Sequence, residues 1–307
     1  MTKRNLGFVL ATLVAIAGYW TPLKTLATFS FHSDIYPYIG MIPLLSACLI
    51  YLEKERIFSR VRYGVGIGSV LVFLALITRW GNRRYSAALS PSNSFSLVTL
   101  SMVVLGMGIF VSCYGTKSLR AAAFQLSLLL LMVPLPPVLL DRLIFVLQGC
   151  STQAAGFLFR LGGVPVFQSG FSLSLPGNDM EVAAQCSGIR SGLALFITSL
   201  LMGHLFLRSP WRRFWLILAV FPVTIFKNGL RIVTIYALTV HPSMGSFTVW
   251  MHRYGGIPFS FLGLSLLAFL LTFLRRFEKT SAGSRWIIGG ETRVREKASD
   301  PTLNLIC

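Results

Sequence analysis

Long apolar runs alternate with short charged clusters along most of this chain. Runs at about 5–20, 36–52, 63–79, 95–114, 121–137, 188–207, 214–234 and 257–274 each approach the roughly 20 residues an α-helix needs to cross a bilayer. They predict an all-α polytopic membrane protein with about eight transmembrane helices. The segment 138–187 breaks the pattern with Gly, Pro, Gln and Ser. It opens on Leu139-Leu-Asp-Arg-Leu-Ile-Phe-Val-Leu-Gln148, an amphipathic stretch suited to the interface plane. Alternation from Val164 to Pro176, closed by Gly177-Asn178, then predicts a short extracytoplasmic hairpin leading into the helix of Cys186.

Composition agrees with the pattern. Hydrophobic residues make up 54% of the 307 and charged residues 12%, too little charge to disperse a water-soluble domain. The first run follows Lys3 and Arg4 as a signal peptide would. It lacks a small-residue cleavage site and precedes many further runs, so it reads as an anchor. The net charge of +18 sits in clusters between spans, which reflects insertion bias and argues against nucleic-acid binding. With the N-terminus inside, 18 of the 28 Lys and Arg residues fall on the cytoplasmic side and 10 outside, the orientation the positive-inside rule favours. Residues 1–277 form the membrane domain. Residues 278–307 read as a polar, basic, flexible cytoplasmic tail.

Candidate chemistry gathers at the outer surface. Cys186, in Gln185-Cys186-Ser187-Gly188-Ile189-Arg190, stands where a polar turn meets the sixth span. A helix N-terminus and the nearby Arg190 both favour the nucleophilic thiolate. Arg231 lies 17 residues beyond Phe214, roughly 25 Å up a helix rising 1.5 Å per residue, and so near the same leaflet. It suits an oxyanion or a substrate carbonyl, and Asn228, one turn earlier on the same face, suits orienting the guanidinium or adding a donor. His252, in the loop before the last span, suits acid–base work near neutral pH, with His241 as its competitor. His204 belongs to the opposite side. A thiol, a guanidinium and an imidazole on one face predict acyl transfer.

Duller readings exist for each. Cys150 shares the outer side, and a disulfide to Cys186 would remove the nucleophile. Arginines near helix ends snorkel to lipid phosphates. Gly64-x-Gly66-x-Gly68 lies inside an apolar run, where small residues allow helices to approach rather than bind phosphate. No spacing implies a metal, and no motif implies a cofactor. From another class, a transporter or flippase for polysaccharide precursors would place its polar groups near mid-bilayer at broken helices.

These motifs resemble those of the exosortase/archaeosortase family. The likeness runs from about residue 30 to residue 275. It is carried by Tyr36-Pro-Tyr-Ile-Gly-Met-Ile-Pro43-Leu-Leu-Ser46, Met132-Val-Pro134-Leu-Pro136, Gly163-Val-Pro165-Val, Glu181-Val through Cys186-Ser-Gly-Ile-Arg190-Ser, and Asn228-x-x-Arg231-Ile. Gln185 stands where such proteins often carry an acid. The resemblance implies a membrane cysteine peptidase or transpeptidase whose catalytic cysteine, arginine and histidine are Cys186, Arg231 and His252. It further implies that the partners are C-terminal sorting tails of secreted proteins, of the PEP-CTERM kind, cleaved at the outer face of a bacterial inner membrane. Such systems often accompany exopolysaccharide production.

Overall fold

A computed structural model describes residues 3–59, 61–85, 87–176, 178–240 and 256–279. Among these, twelve α-helices carry the fold. They are α1 (Lys3–Gly18), α2 (Trp20–His32), α3 (Ile42–Leu52), α4 (Lys54–Ile57), α5 (Val65–Arg84) and α6 (Pro91–Ala121). There follow α7 (Ala123–Leu128), α8 (Pro137–Leu161), α9 (Ile189–Phe206), α10 (Pro210–Leu218), α11 (Val220–Val240) and α12 (Gly256–Lys279).

Five segments are long and apolar enough to cross a membrane. The count rises to seven if each of two bent pairs is one span: α1 with α2, bent by 75°, and the 123–132 segment with α8, bent by 92°. The sequence led to an expectation of about eight. The difference arises mainly over 36–52, where Pro37 starts a short 3-10 turn and Pro43 starts an 11-residue helix, too short to span alone. Large apolar side chains such as Val14, Phe73 and Phe269 point outward, at 73%, 65% and 73% exposure, an arrangement suited to hydrocarbon surroundings.

Close helix contacts form where glycines remove side chains. At Gly68 a Cβ would lie 2.6 Å from Ser112 N, and at Gly64 2.7 Å from Val111 O, so α5 lies against α6 backbone to backbone. Gly66 faces open space. Gly115, at φ +84, bends α6 and abuts the Arg62 carbonyl, a position only glycine fits.

The site-bearing half is built from α8 to α12. The stretch 139–148 forms the first part of α8, which runs unbroken for 25 residues and packs along α11. Its polar residues Gln148, Ser151 and Thr152 are buried against protein. The next segment holds three short antiparallel strands, β1 (Phe167–Ser169), β2 (Ser172–Leu175) and β3 (Asn178–Glu181), in that spatial order. One face of the sheet buries Leu173 and Leu175 with Ala155, Phe159, Ile232 and Tyr236 of α8 and α11. Tyr236 donates to the Pro176 carbonyl at 3.0 Å and Gln148 to the Val182 carbonyl at 2.5 Å, so both helices fix the chain just before Cys186.

Candidate active site

The cysteine turn is shaped by two requirements. Ala184–Cys186 form a single 3-10 turn, with Cys186 N–H donating to Ala183 O at 2.8 Å and Ser187 N–H to Ala184 O at 3.1 Å. The chain must then swing into α9, and it does so at Gly188, with φ +80. A side chain there would be doubly disfavoured: the left-handed backbone penalises a Cβ, and that Cβ would lie 3.1–3.4 Å from Asn228 side-chain atoms.

Small residues bring α11 up to this turn. Gly192 of α9 lies against Thr224 of α11, where a Cβ would meet Cγ2 at 3.1 Å. Gly229 lies against Ala154 and Ala155 of α8, at 3.0 and 3.2 Å. The α11 face so placed carries Lys227, Asn228 and Arg231. Asn228 is 1% exposed, and its amide donates to the Cys186 carbonyl at 2.6 Å. The lysine ammonium donates to Ser191 Oγ, and that hydroxyl donates to the Gly188 carbonyl at 3.1 Å.

A cavity of about 1100 Å³ opens beside the turn. Its wall includes Asp34 and Tyr38 from the α2–α3 connection, Gln185, Gly188 and Arg190, then Ser191, Arg231 and the first turns of α12. Arg190 faces Asp34 at 3.5 Å, both exposed. Arg231 Nε is buried without a hydrogen-bond partner among the described residues, leaving a cationic donor available on the wall. Below these groups the lining turns apolar, with Ile144, Ala194, Phe261 and Leu264.

The candidate residues divide as follows. Arg190 and Arg231 line one cavity with Gln185 and Gly188 of the cysteine turn, and Asn228 is buried off that wall, bonded to the Cys186 carbonyl. The Cys186 side chain itself is not on the cavity wall: it is partly buried against the cluster of Phe159, Leu173, Ile232 and Tyr236, between wall residues Gln185 and Gly188. Ser187 is fully buried and off that wall, and its hydroxyl has no partner among the described residues. Cys150 and Cys186 are both free thiols. His252 and its competitor His241 lie outside the described residues. His204 is in the last turn of α9, roughly 22 Å of helix beyond Ile189, where it bonds Glu53 at 2.8 Å and stacks on Phe124. Among the described residues, no three His, Cys, Asp or Glu side chains gather as a metal site would need.

Lys227 and Ser191 escaped the sequence reading. The usable signal for Lys227 was its place inside an apolar run, one turn before Arg231 and beside Asn228, since ionisable groups within spans mark functional sites.

A search of curated proteins and a search of solved structures each found no match to this chain. Residues 30–271 match the transmembrane exosortase family, a range that holds the cysteine turn, the α11 face and the whole cavity wall. The chain therefore belongs to the transmembrane exosortase family.

Proposed function

We propose that this protein is a membrane cysteine peptidase or transpeptidase that cleaves C-terminal sorting tails at the extracytoplasmic face of the inner membrane. Membership of the exosortase family supports a sorting-enzyme role in general. The observation that carries the finer reading is the Asn228–Cys186 hydrogen bond. It ties the thiol-bearing turn to the helix face that presents Arg231, beside a cavity that passes from charged groups to apolar ones. A sorting tail has that same order, a short polar recognition segment followed by a membrane helix.

In this reading the Cys186 thiolate attacks the scissile carbonyl, forming a C–S bond. Arg231 supports the oxyanion of the tetrahedral intermediate. Its collapse breaks the C–N bond, and His252 protonates the departing amine. Water or an amine then attacks the thioester with His252 as base, and the thiol is regenerated. Positive-inside bias supports the outer placement of the site. The test is processing of a tagged reporter bearing a sorting tail by Cys186→Ala, Arg231→Ala and His252→Ala, with His241→Ala alongside. Each of the first three should abolish cleavage at equal protein level. Wild-type processing by Cys186→Ala would end the proposal.

A further inference from the structure

We infer that Lys227 is a positioning residue: acting through Ser191, it braces the turn that carries Cys186. This inference rests on Cys186 being the attacking group. Lys227 is 3% exposed and sits where α9, α11 and α12 meet. Its stem passes α12 at Gly263, where a Cβ would lie 3.0 Å from Lys227 Cδ and 2.9 Å from Leu195 Cδ1. The absent side chain at 263 is what lets the ammonium reach Ser191.

A buried lysine is an expensive way to fill space between helices. Charge inside a membrane bundle is costly, whereas a methionine stem would pack as well. Among the described residues no carboxylate pairs with it; Glu53 is held by Arg56 and His204, and Asp34 by Arg190. What the ammonium does hold is a chain of two hydrogen bonds, to the Ser191 hydroxyl and from there to the Gly188 carbonyl, which also accepts the Gly192 N–H at 2.8 Å. Hydrogen bonds linked in this way polarise and strengthen one another.

The adjacent residue supplies the complementary grip. Asn228 holds Cys186 O, so two neighbouring side chains of α11 fix the turn on both sides of Gly188. Gly188 is the residue least able to hold its own backbone conformation. With the Asn228 bond alone, the thiol turn can rotate about it relative to α9. The second anchor removes that freedom. Misplacement of a reacting group by about 1 Å costs on the order of 10²-fold in rate, so the brace acts on turnover rather than on affinity.

The test uses full-length protein in nanodiscs and a synthetic peptide carrying the sorting tail, with kcat, KM and thermal midpoint measured for each variant. Lys227→Met and Ser191→Ala should each lower kcat about tenfold with KM within about twofold and no fall in the midpoint, which Lys227→Met should hold or raise. The double variant should be no slower than Lys227→Met, since both changes break one chain of contacts. Ser191→Thr, which keeps the hydroxyl, should stay within about threefold of wild type. Wild-type kcat in either single variant, additive losses in the double variant, or a rise in KM alone would each overturn the inference. If Lys227→Met does not accumulate, the kcat of Ser191→Ala decides. Activity in Cys186→Ala would instead overturn the catalytic reading, a separate outcome.

Discussion

Replacing Asn228 with Asp changes one donor into an acceptor at almost constant volume, which isolates the contact that joins α11 to the cysteine turn. In the native protein the amide donates at 2.6 Å to the carbonyl of Cys186, and the residue is 1% exposed. Asp leaves that carbonyl without its donor and sets a carboxylate oxygen against it. An unsatisfied polar group costs about 1–3 kcal/mol. Because the bond is only part-buried, about 1–2 kcal/mol applies, which lowers the ratio of ordered to disordered turn by roughly 5–30-fold. Cleavage of a tail-bearing reporter, normalised to enzyme, should fall, with that factor as the upper limit of the loss. Hydrogen exchange of the peptide spanning 182–190 should quicken in nanodiscs, while exchange in α5 and α6 stays as it was. Asn228→Ala should match Asp in rate and add a packing defect. If Asn228→Asp cleaves and exchanges like wild type, the hydrogen bond carries no weight in shaping the turn.

Three further outcomes follow from the same geometry. Gly188→Ala meets both a left-handed backbone, worth about 1–2 kcal/mol, and the Asn228 side chain at 3.1–3.4 Å, so cleavage should drop at least tenfold with normal insertion. Gly263→Ala intrudes on Leu195 and the Lys227 stem and should lower the thermal midpoint by a few degrees, about 1–3 kcal/mol of overpacking, measured by intrinsic fluorescence. Gly115→Ala places a Cβ 2.1 Å from the Arg62 carbonyl at φ +84, which backbone cannot yield; membrane levels on immunoblots should fall sharply, while molecules that do fold retain specific activity.

Much of the helical layout was readable because apolar runs report burial in lipid directly. The start of α9 and the bodies of α6 and α12 coincide with such runs. Where reading failed, the partner was protein rather than lipid or water. Leu139 to Gln148 read as an amphipathic stretch, without indicating that the helix continues to Leu161 and buries Gln148, Ser151 and Thr152. Part of that polar stripe meets the strand segment, through the bond from Gln148 to Val182 O, which no local pattern announces. Alternation over 164–176 indicated extended chain but not a third strand. Cys186, Asn228 and Arg231 stand out in the sequence by chemistry and spacing, and the fold brings Asn228 onto the Cys186 carbonyl. Lys227 does not, because its contact arises only when Ser191, five residues past the cysteine, is folded back against α11.

The small sheet has a consequence for how such an enzyme can diversify. Its inner edge is moored to α8 and α11 by Gln148 and Tyr236, and the chain leaves it directly for the thiol. Its β1–β2 tip is tied down as well: Phe171 stacks edge-on with Phe145 of α8, and its carbonyl accepts the Val182 N–H at 3.0 Å, four residues before Cys186. A change at Phe171 therefore has a short path to the cysteine turn, so variation in this segment is better borne at outward positions such as Phe167, 72% exposed, than at the tip.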